Sequence, residues 1–240
     1  MAHPRKNVHI DKAADPASLR RALEHVYWMG GSPCSGKTTI ARALVERYGF
    51  RYYDCDHAFW RHNESITAEQ QPVFYRVMHL SSEELWMRPV GQQTAEETAI
   101  YREEFPLILD DLLSLCTALP PTTQPVLAEG AALLPECVAP LLGDPCQAIW
   151  IVPAAEFQLR HYSRREWARD VVKETSDPQK AFQNWMERDI RFARFVQSEA
   201  RQRGLRVLVV DGETSIAENT CLVEEHYRLT GPDAPGIFLS

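Results

Sequence analysis

The residues with the clearest chemical content are the nine from 31 to 39, which read Gly31-Ser32-Pro33-Cys34-Ser35-Gly36-Lys37-Thr38-Thr39. They satisfy GxxxxGK[ST] at every fixed position. Such a segment binds phosphate. Its glycines let the backbone curl so that successive amide N–H groups face phosphate oxygens. A helix starting at the end of the loop adds unpaired N–H groups and a favourable dipole. On this reading Gly31, Ser32, Pro33, Cys34, Ser35 and Gly36 form a cradle, and Lys37 bridges the β- and γ-phosphates of a nucleoside triphosphate. The Thr38 hydroxyl binds Mg²⁺, and Thr39 adds a phosphate contact. Cys34 reads as a small residue in a tight turn.

Three acids follow at comparable places. Asp54 and Asp56 close one apolar run, and Glu129 closes another. Ligands of open parallel sheets bind beyond the carboxyl ends of the strands, so all three are expected beside the phosphates. If the chain stays extended through Tyr53-Asp54-Cys55-Asp56, alternation points both aspartates the same way. One can then hold Mg²⁺ through water while the other accepts a proton from an acceptor hydroxyl. Glu129 resembles the acid that ends a Walker B strand. Arg160, Arg164, Arg165 and Arg169 make a basic stretch suited to the charge that phosphoryl transfer spreads over oxygen. Arg160 and Arg164 are the first candidates. Arg188, Arg191 and Arg194 read as structural or solvent-facing.

Positioning these groups requires strands that end where the acids stand. Five short apolar segments, residues 25–29, 50–53, 125–128, 148–152 and 205–210, read as strands of a parallel sheet buried on both faces. Helical spacing separates them, which predicts βαβ units and an α/β fold. Ile40, Leu44 and Tyr48 mark one face of the helix after the loop. A longer helix has Asp177 as N-cap, Pro178 at its first position and Gly204 past its end. Residues 1–240 read as one domain with two additions: a helical insertion over 57–124 rich in aromatic residues, and an arginine-rich segment over 160–177. The segment 231–236 reads as a loosely ordered end.

The composition narrows the class. Lysine and arginine total 26 against 33 aspartates and glutamates, a formal net charge of -7, which argues against nucleic acid as the partner. Six cysteines without CxxC spacing read as reduced thiols, not as a zinc site. The first residues lack the apolar stretch of a signal peptide, and no apolar run has the length of a membrane span. A cytoplasmic location and no membrane partner are expected.

These motifs together resemble the P-loop small-molecule kinases of the adenylate-kinase-like group, which includes shikimate, gluconate and chloramphenicol kinases. The resemblance rests on residues 31–39, the Asp54-Cys55-Asp56 ending, the Glu129-Gly130 ending and the stretch from Arg160. It implies a five-stranded parallel sheet of order 2-3-1-4-5 with helices on both faces. It also implies an acceptor-binding insertion after the second strand and an arginine-bearing lid after the fourth. By the same resemblance ATP and Mg²⁺ are the cofactors, and the γ-phosphoryl group goes to a hydroxyl of a small-molecule acceptor. Lys37 and Thr38 contact nucleotide and metal, Asp54 belongs to the metal shell, Asp56 is the base, Arg160 and Arg164 belong to the lid, and the Asp211-Gly212-Glu213 turn borders the base. The chain departs from shikimate kinases in its longer insertion and in Glu129-Gly130, an ending nearer to uridine-kinase-type and zeta-toxin-type chains. Arg61, Arg76 and Arg88 are candidates for an anionic acceptor. Other readings are a nucleoside or nucleotide kinase, a nucleotide-gated regulatory NTPase with a protein partner, and a zeta-toxin-like sugar-nucleotide kinase.

Overall fold

A computed structural model describes residues 15–117 and 124–229. The segment 231–236 and the first residues of the chain lie outside the described part. Among the described residues eleven α-helices and five strands follow one another in this order. The first half contains α1 (Pro16–Ala22), β1 (Val26–Gly31), α2 (Lys37–Tyr48), β2 (Arg51–Asp54), α3 (Cys55–Asn63), α4 (Pro72–Met78), α5 (Ser82–Trp86) and α6 (Val90–Thr117). The second contains β3 (Val126–Glu129), α7 (Pro135–Val138), β4 (Ala148–Pro153), α8 (Ala155–Tyr162), α9 (Glu166–Val172), α10 (Pro178–Gln202), β5 (Arg206–Val210) and α11 (Ile216–His226).

The strands form one parallel sheet of order β2-β3-β1-β4-β5, the order expected. β1 and β4 are buried along their whole length, as strands covered on both faces must be. Alternation along β1 divides the core. Val26 and Trp28 face a layer that includes Leu112 of α6 and Phe192 and Val196 of α10. Tyr27 and Met29 face the opposite layer, built on Ile40 and Leu44 of α2 and Val223 of α11. The indole N–H of buried Trp150 donates to the Leu133 carbonyl at 2.8 Å, so its large apolar area is buried without an orphaned donor. The helix start at Asp177 is formed as expected, its carboxylate accepting from the Lys180 amide at 2.9 Å. Among the described residues no helix is long and apolar enough to cross a membrane.

The insertion after β2 is helical, and a buried polar network ties α3 to α6. His62 sits between two carboxylates, its Nδ1 2.9 Å from Glu104 Oε1 and its Nε2 3.1 Å from Asp111 Oδ2. Tyr53 and Arg61 also donate to Asp111, at 2.8 and 2.7 Å. Burial disfavours the imidazolium, but the hydrogen bonds and charges of Asp111 and Glu104 outweigh it and raise the His62 pKa from 6.5 to about 8. A pKa raised in the folded state contributes stability that is complete below about pH 6.5 and is lost as pH rises through about 8. The shift corresponds to about 2 kcal/mol. Urea unfolding should therefore show the chain losing roughly that much between those pH values, with the loss absent in His62→Gln. Identical pH dependence in the two proteins would remove His62 as its source.

Candidate functional site

The phosphate-loop motif sits where the central strand β1 runs into α2. Gly31 closes against β4, with φ at +138°, and a Cβ there would lie 1.9 Å from the Ile151 carbonyl oxygen. Gly31→Ala is expected to cost about 3 kcal/mol or more, because both backbone strain and a backbone clash oppose it. Urea unfolding checks this, and a loss below about 1 kcal/mol would show that β1 and β4 part easily. Cys34 and Gly36 both take left-handed conformations, φ 65° and 80°, and these curl the loop. Ser35 Oγ donates to the Ser32 carbonyl at 3.0 Å, and Lys37 Nζ reaches back to the same carbonyl at 2.7 Å. The ammonium is thereby held across the loop. Among the described residues the amides of Cys34, Ser35 and Gly36 donate to no backbone carbonyl, no side chain caps the start of α2, and the buried Ser32 hydroxyl has no hydrogen-bond partner. Free amides, an unsatisfied hydroxyl and one ammonium at the start of a 12-residue helix make a donor set that fits a phosphate group.

The acids do not lie as an extended chain would place them. β2 ends at Asp54, which is the N-cap of α3 and accepts from the His57 amide at 3.1 Å. Cys55 begins the helix and packs into the core, where a Cβ on Gly130 would come within 2.3 Å of its own Cβ. Asp56 is therefore a first-turn helical residue, and the expected alternation of Asp54 and Asp56 on one strand is incorrect. The physical reason is the cap: Asp54 accepts the His57 amide and turns the chain into a helix at Cys55, so the extended backbone stops at Asp54 and does not run on to Asp56. Glu129 is paired in register with Asp54 on one side and Met29 on the other. It is buried, and one oxygen accepts from Tyr52 at 2.8 Å. Burial raises its pKa, with Lys37 and Tyr52 opposing and Asp56 and Asp54 adding to the rise. Among the described residues no group of three His, Cys, Asp or Glu side chains is close enough to hold a metal by itself. Asp54 and Glu129 each keep one carboxylate oxygen free of the bonds just described.

Lys37 and Asp56 meet in a cavity of about 420 Å³ whose wall also includes Pro33, Trp60, Arg188 and Asp189. Solvent reaches Asp56 within this hollow, yet the surrounding protein still desolvates it. That desolvation raises its pKa, Lys37 lowers it, and Asp54 raises it further. Trp60, one helical turn on, is 63% exposed and stands as a free aromatic wall.

The arginine-rich stretch divides. Arg160 Nη2 donates to the Asp211 carbonyl at 3.3 Å, so it buttresses the turn after β5. The start of α11, just after that turn, lies beside the loop, since a Cβ on Gly36 would come within 3.0 Å of Ile216 Cδ1. Arg164 is exposed, and its side chain makes no hydrogen bond or ion pair among the described residues. Arg165 lies over the rings of Tyr162 and Trp167, at 5.1 and 5.6 Å, and its charge reaches Cys34 in the loop. Burial raises the Cys34 thiol pKa, and Arg165 and Lys37 pull against that rise. The stretch is joined to the insertion: the Ser176 amide and hydroxyl both donate to Glu83 at 2.7 Å. Beside that contact Trp86, Tyr162 and Trp185 pack in a small core of their own, with ring centroids 5.2 Å apart in two pairs.

Sequence reasoning missed Glu97, Arg188 and Asp189. Arg188 donates to Asp189 Oδ1 at 2.9 and 2.6 Å and pairs with Glu97 at 3.2 Å. Burial raises both carboxyl pKa values against the pull of Arg188. A signal was present: Asp189 falls four residues after Trp185 and three before Phe192, inside the apolar stripe of α10. An acid in such a stripe is buried and must find a partner. Arg61, Arg76 and Arg88 are each already paired, Arg61 with Asp111 at 2.7 Å and the other two with Glu96 at 2.9 and 2.6 Å. No family model matches the chain, and no curated protein matches it in sequence.

Proposed function

We propose that this chain is an ATP-dependent kinase that transfers the γ-phosphoryl group to a hydroxyl of a small-molecule acceptor, in the manner of the P-loop small-molecule kinases it resembles. One observation carries the reading: the Lys37 ammonium and the Asp56 carboxylate line one cavity at the carboxyl end of a parallel sheet. A phosphate donor set and a carboxylate of raised pKa in one hollow are the two groups that phosphoryl transfer to an alcohol requires.

The residues divide the work by position. The 31–39 loop binds the triphosphate through its amides, and Lys37 stabilises charge as it develops on the transferred group. Asp56 takes the acceptor's hydroxyl proton as the new O–P bond forms and the bond to the leaving ADP breaks. Mg²⁺, when bound, neutralises phosphate charge, and the hydroxyl of Thr38 with the free oxygens of Asp54 and Glu129 is the donor set that would hold it, directly or through water. Arg165 is better placed toward the loop than Arg160 or Arg164, and Arg160 serves the turn at Asp211. The acidic net charge supports a small-molecule partner over nucleic acid. Six free cysteines support a reducing, cytoplasmic setting.

The test is direct. The chain is incubated with ATP, Mg²⁺ and mixed small alcohols, nucleosides and sugars, and new phosphate esters are sought by mass spectrometry. A new ester, absent with Lys37→Ala, supports the reading. ATP turnover that needs a protein partner and yields no ester would instead favour a nucleotide-gated regulator.

A further inference from the structure

Behind the cavity that holds Asp56 lies a second one, of about 200 Å³, inside the helical insertion. The two share Glu97, Tyr101 and Arg188, so the inner chamber lies directly against the cavity that Lys37 and Asp56 line. The inner chamber is walled by Phe59, Val77, Met78, Leu85 and Ile100 on its apolar side. Its polar side is Arg88, Gln93, Glu96, Glu97 and Arg188.

The charges of that polar side cancel. Arg88 pairs with Glu96 at 2.6 Å, and Arg188 with Glu97 at 3.2 Å. Glu96 takes a further guanidinium, Arg76, at 2.9 Å, and Arg188 is also held by Asp189 at 2.6 Å. No guanidinium of the chamber is left for an incoming carboxylate or phosphate. Hydrogen-bonding capacity is left over at two atoms. Gln93 Oε1 is a buried acceptor without a donor and Arg88 Nε a buried donor without an acceptor, whereas Glu96 Oε2 and Glu97 Oε2 are taken by the ion pairs with Arg88 and Arg188. Gln93 is 3% exposed, its amide nitrogen already bonded to the carbonyls of Trp86 and Arg88. Buried polar groups left unmatched are costly and select ligands that match them.

We propose that this chamber receives the body of the acceptor, and that the acceptor is an uncharged, hydroxylated molecule with an apolar portion. The apolar portion lies on Phe59, Val77 and Leu85, a hydroxyl faces Gln93 Oε1 and Arg88 Nε, and the reacting hydroxyl projects past Tyr101 toward Asp56. An acceptor bearing a carboxylate or phosphate would set a second negative charge beside Glu96 and Glu97 with no free cation to offset it. The role as acceptor rests on the kinase reading above, whereas the chemistry of the chamber does not.

The experiment uses the full chain and saturation-transfer NMR with two matched probes, phenylethanediol and its phosphate monoester. The diol is expected to bind and the ester not. Val77→Phe and Leu85→Phe, which fill the chamber from different walls, should each weaken diol binding about tenfold or more while thermal melts stay near that of the parent. Absence of diol binding, preference for the ester, or diol binding unchanged in both filled variants would each overturn the proposal. ADP binding is measured in parallel, since the loop lies outside the chamber. Diol binding without ADP binding would sink the kinase reading alone. ADP binding with phosphoryl transfer only to anionic acceptors would sink the neutral-acceptor proposal alone.

Discussion

Replacing Lys37 by alanine is expected to lower phosphoryl transfer about 10³-fold or more while leaving the melting temperature nearly unchanged. The size follows from where the ammonium lies. It is buried, it bonds only to the Ser32 carbonyl and Ser35 hydroxyl of its own loop, and its charge is felt by both Asp56 and Glu129. Its removal therefore takes away the fixed positive charge next to the transferred group without breaking a contact between secondary elements. A second readout separates this from simple loss of nucleotide affinity. Lys37 lowers the Asp56 pKa, so Lys37→Ala should move the acid limb of the remaining activity to higher pH. Arginine should restore little, because a planar guanidinium cannot replace a compact ammonium folded across a tight loop. Transfer from labelled ATP measured across pH checks all three statements, and an undiminished rate in Lys37→Ala would remove the loop from the chemistry.

The second large effect is expected at Asp56. Asp56→Asn should reduce transfer about 10³-fold, the usual contribution of a positioned general base. Nucleotide affinity should hold or rise, since a negative charge near the phosphates is lost. The cap gives a sharp control. Asp54, not Asp56, accepts from the His57 amide, and asparagine caps a helix about as well as aspartate. Neither Asp56→Asn nor Asp54→Asn should thus unfold α3, and loss of activity in Asp56→Asn at an unchanged thermal melt is chemical. In the parent, Asp56 must be ionised to accept a proton, and desolvation raises its pKa. Activity should accordingly fall as pH drops through a value above the ordinary aspartate range. A parent and Asp56→Asn pair with equal rates would leave the acceptor's proton to another group.

What the sequence discloses here tracks how local the determinant is. The glycine-rich loop, the five strands and the long helix from Asp177 to Gly204 depend on neighbours within a few residues, and each is where its pattern places it, although the edge strands β2 and β5 are only partly buried. β2 is the instructive case. Its apolar residues and its acids were legible, but the point where strand becomes helix depends on a side chain capping an amide three residues on. The partner residues Glu97 and Arg188 were not legible, because α6 and α10 bring them together across more than 90 residues of chain. Periodicity on α10 indicates that Asp189 is buried and says nothing of what it faces. The same limit applies to the arginines. Spacing groups Arg160, Arg164 and Arg165 together, while packing sends Arg160 to the Asp211 turn and sets Arg165 over Tyr162 and Trp167.

The contact between Glu83 and Ser176 joins the helices that wall the inner chamber to the basic stretch that borders the phosphate loop. Two ligands that touch different parts of one joined body are thermodynamically linked. Whatever free energy one of them supplies toward a particular placement of that body is free energy the other need not supply, and the exchange is reciprocal. On the kinase reading proposed above, discrimination against hydrolysis would come from cooperativity, since the arrangement competent for transfer is favoured most when both occupants are present.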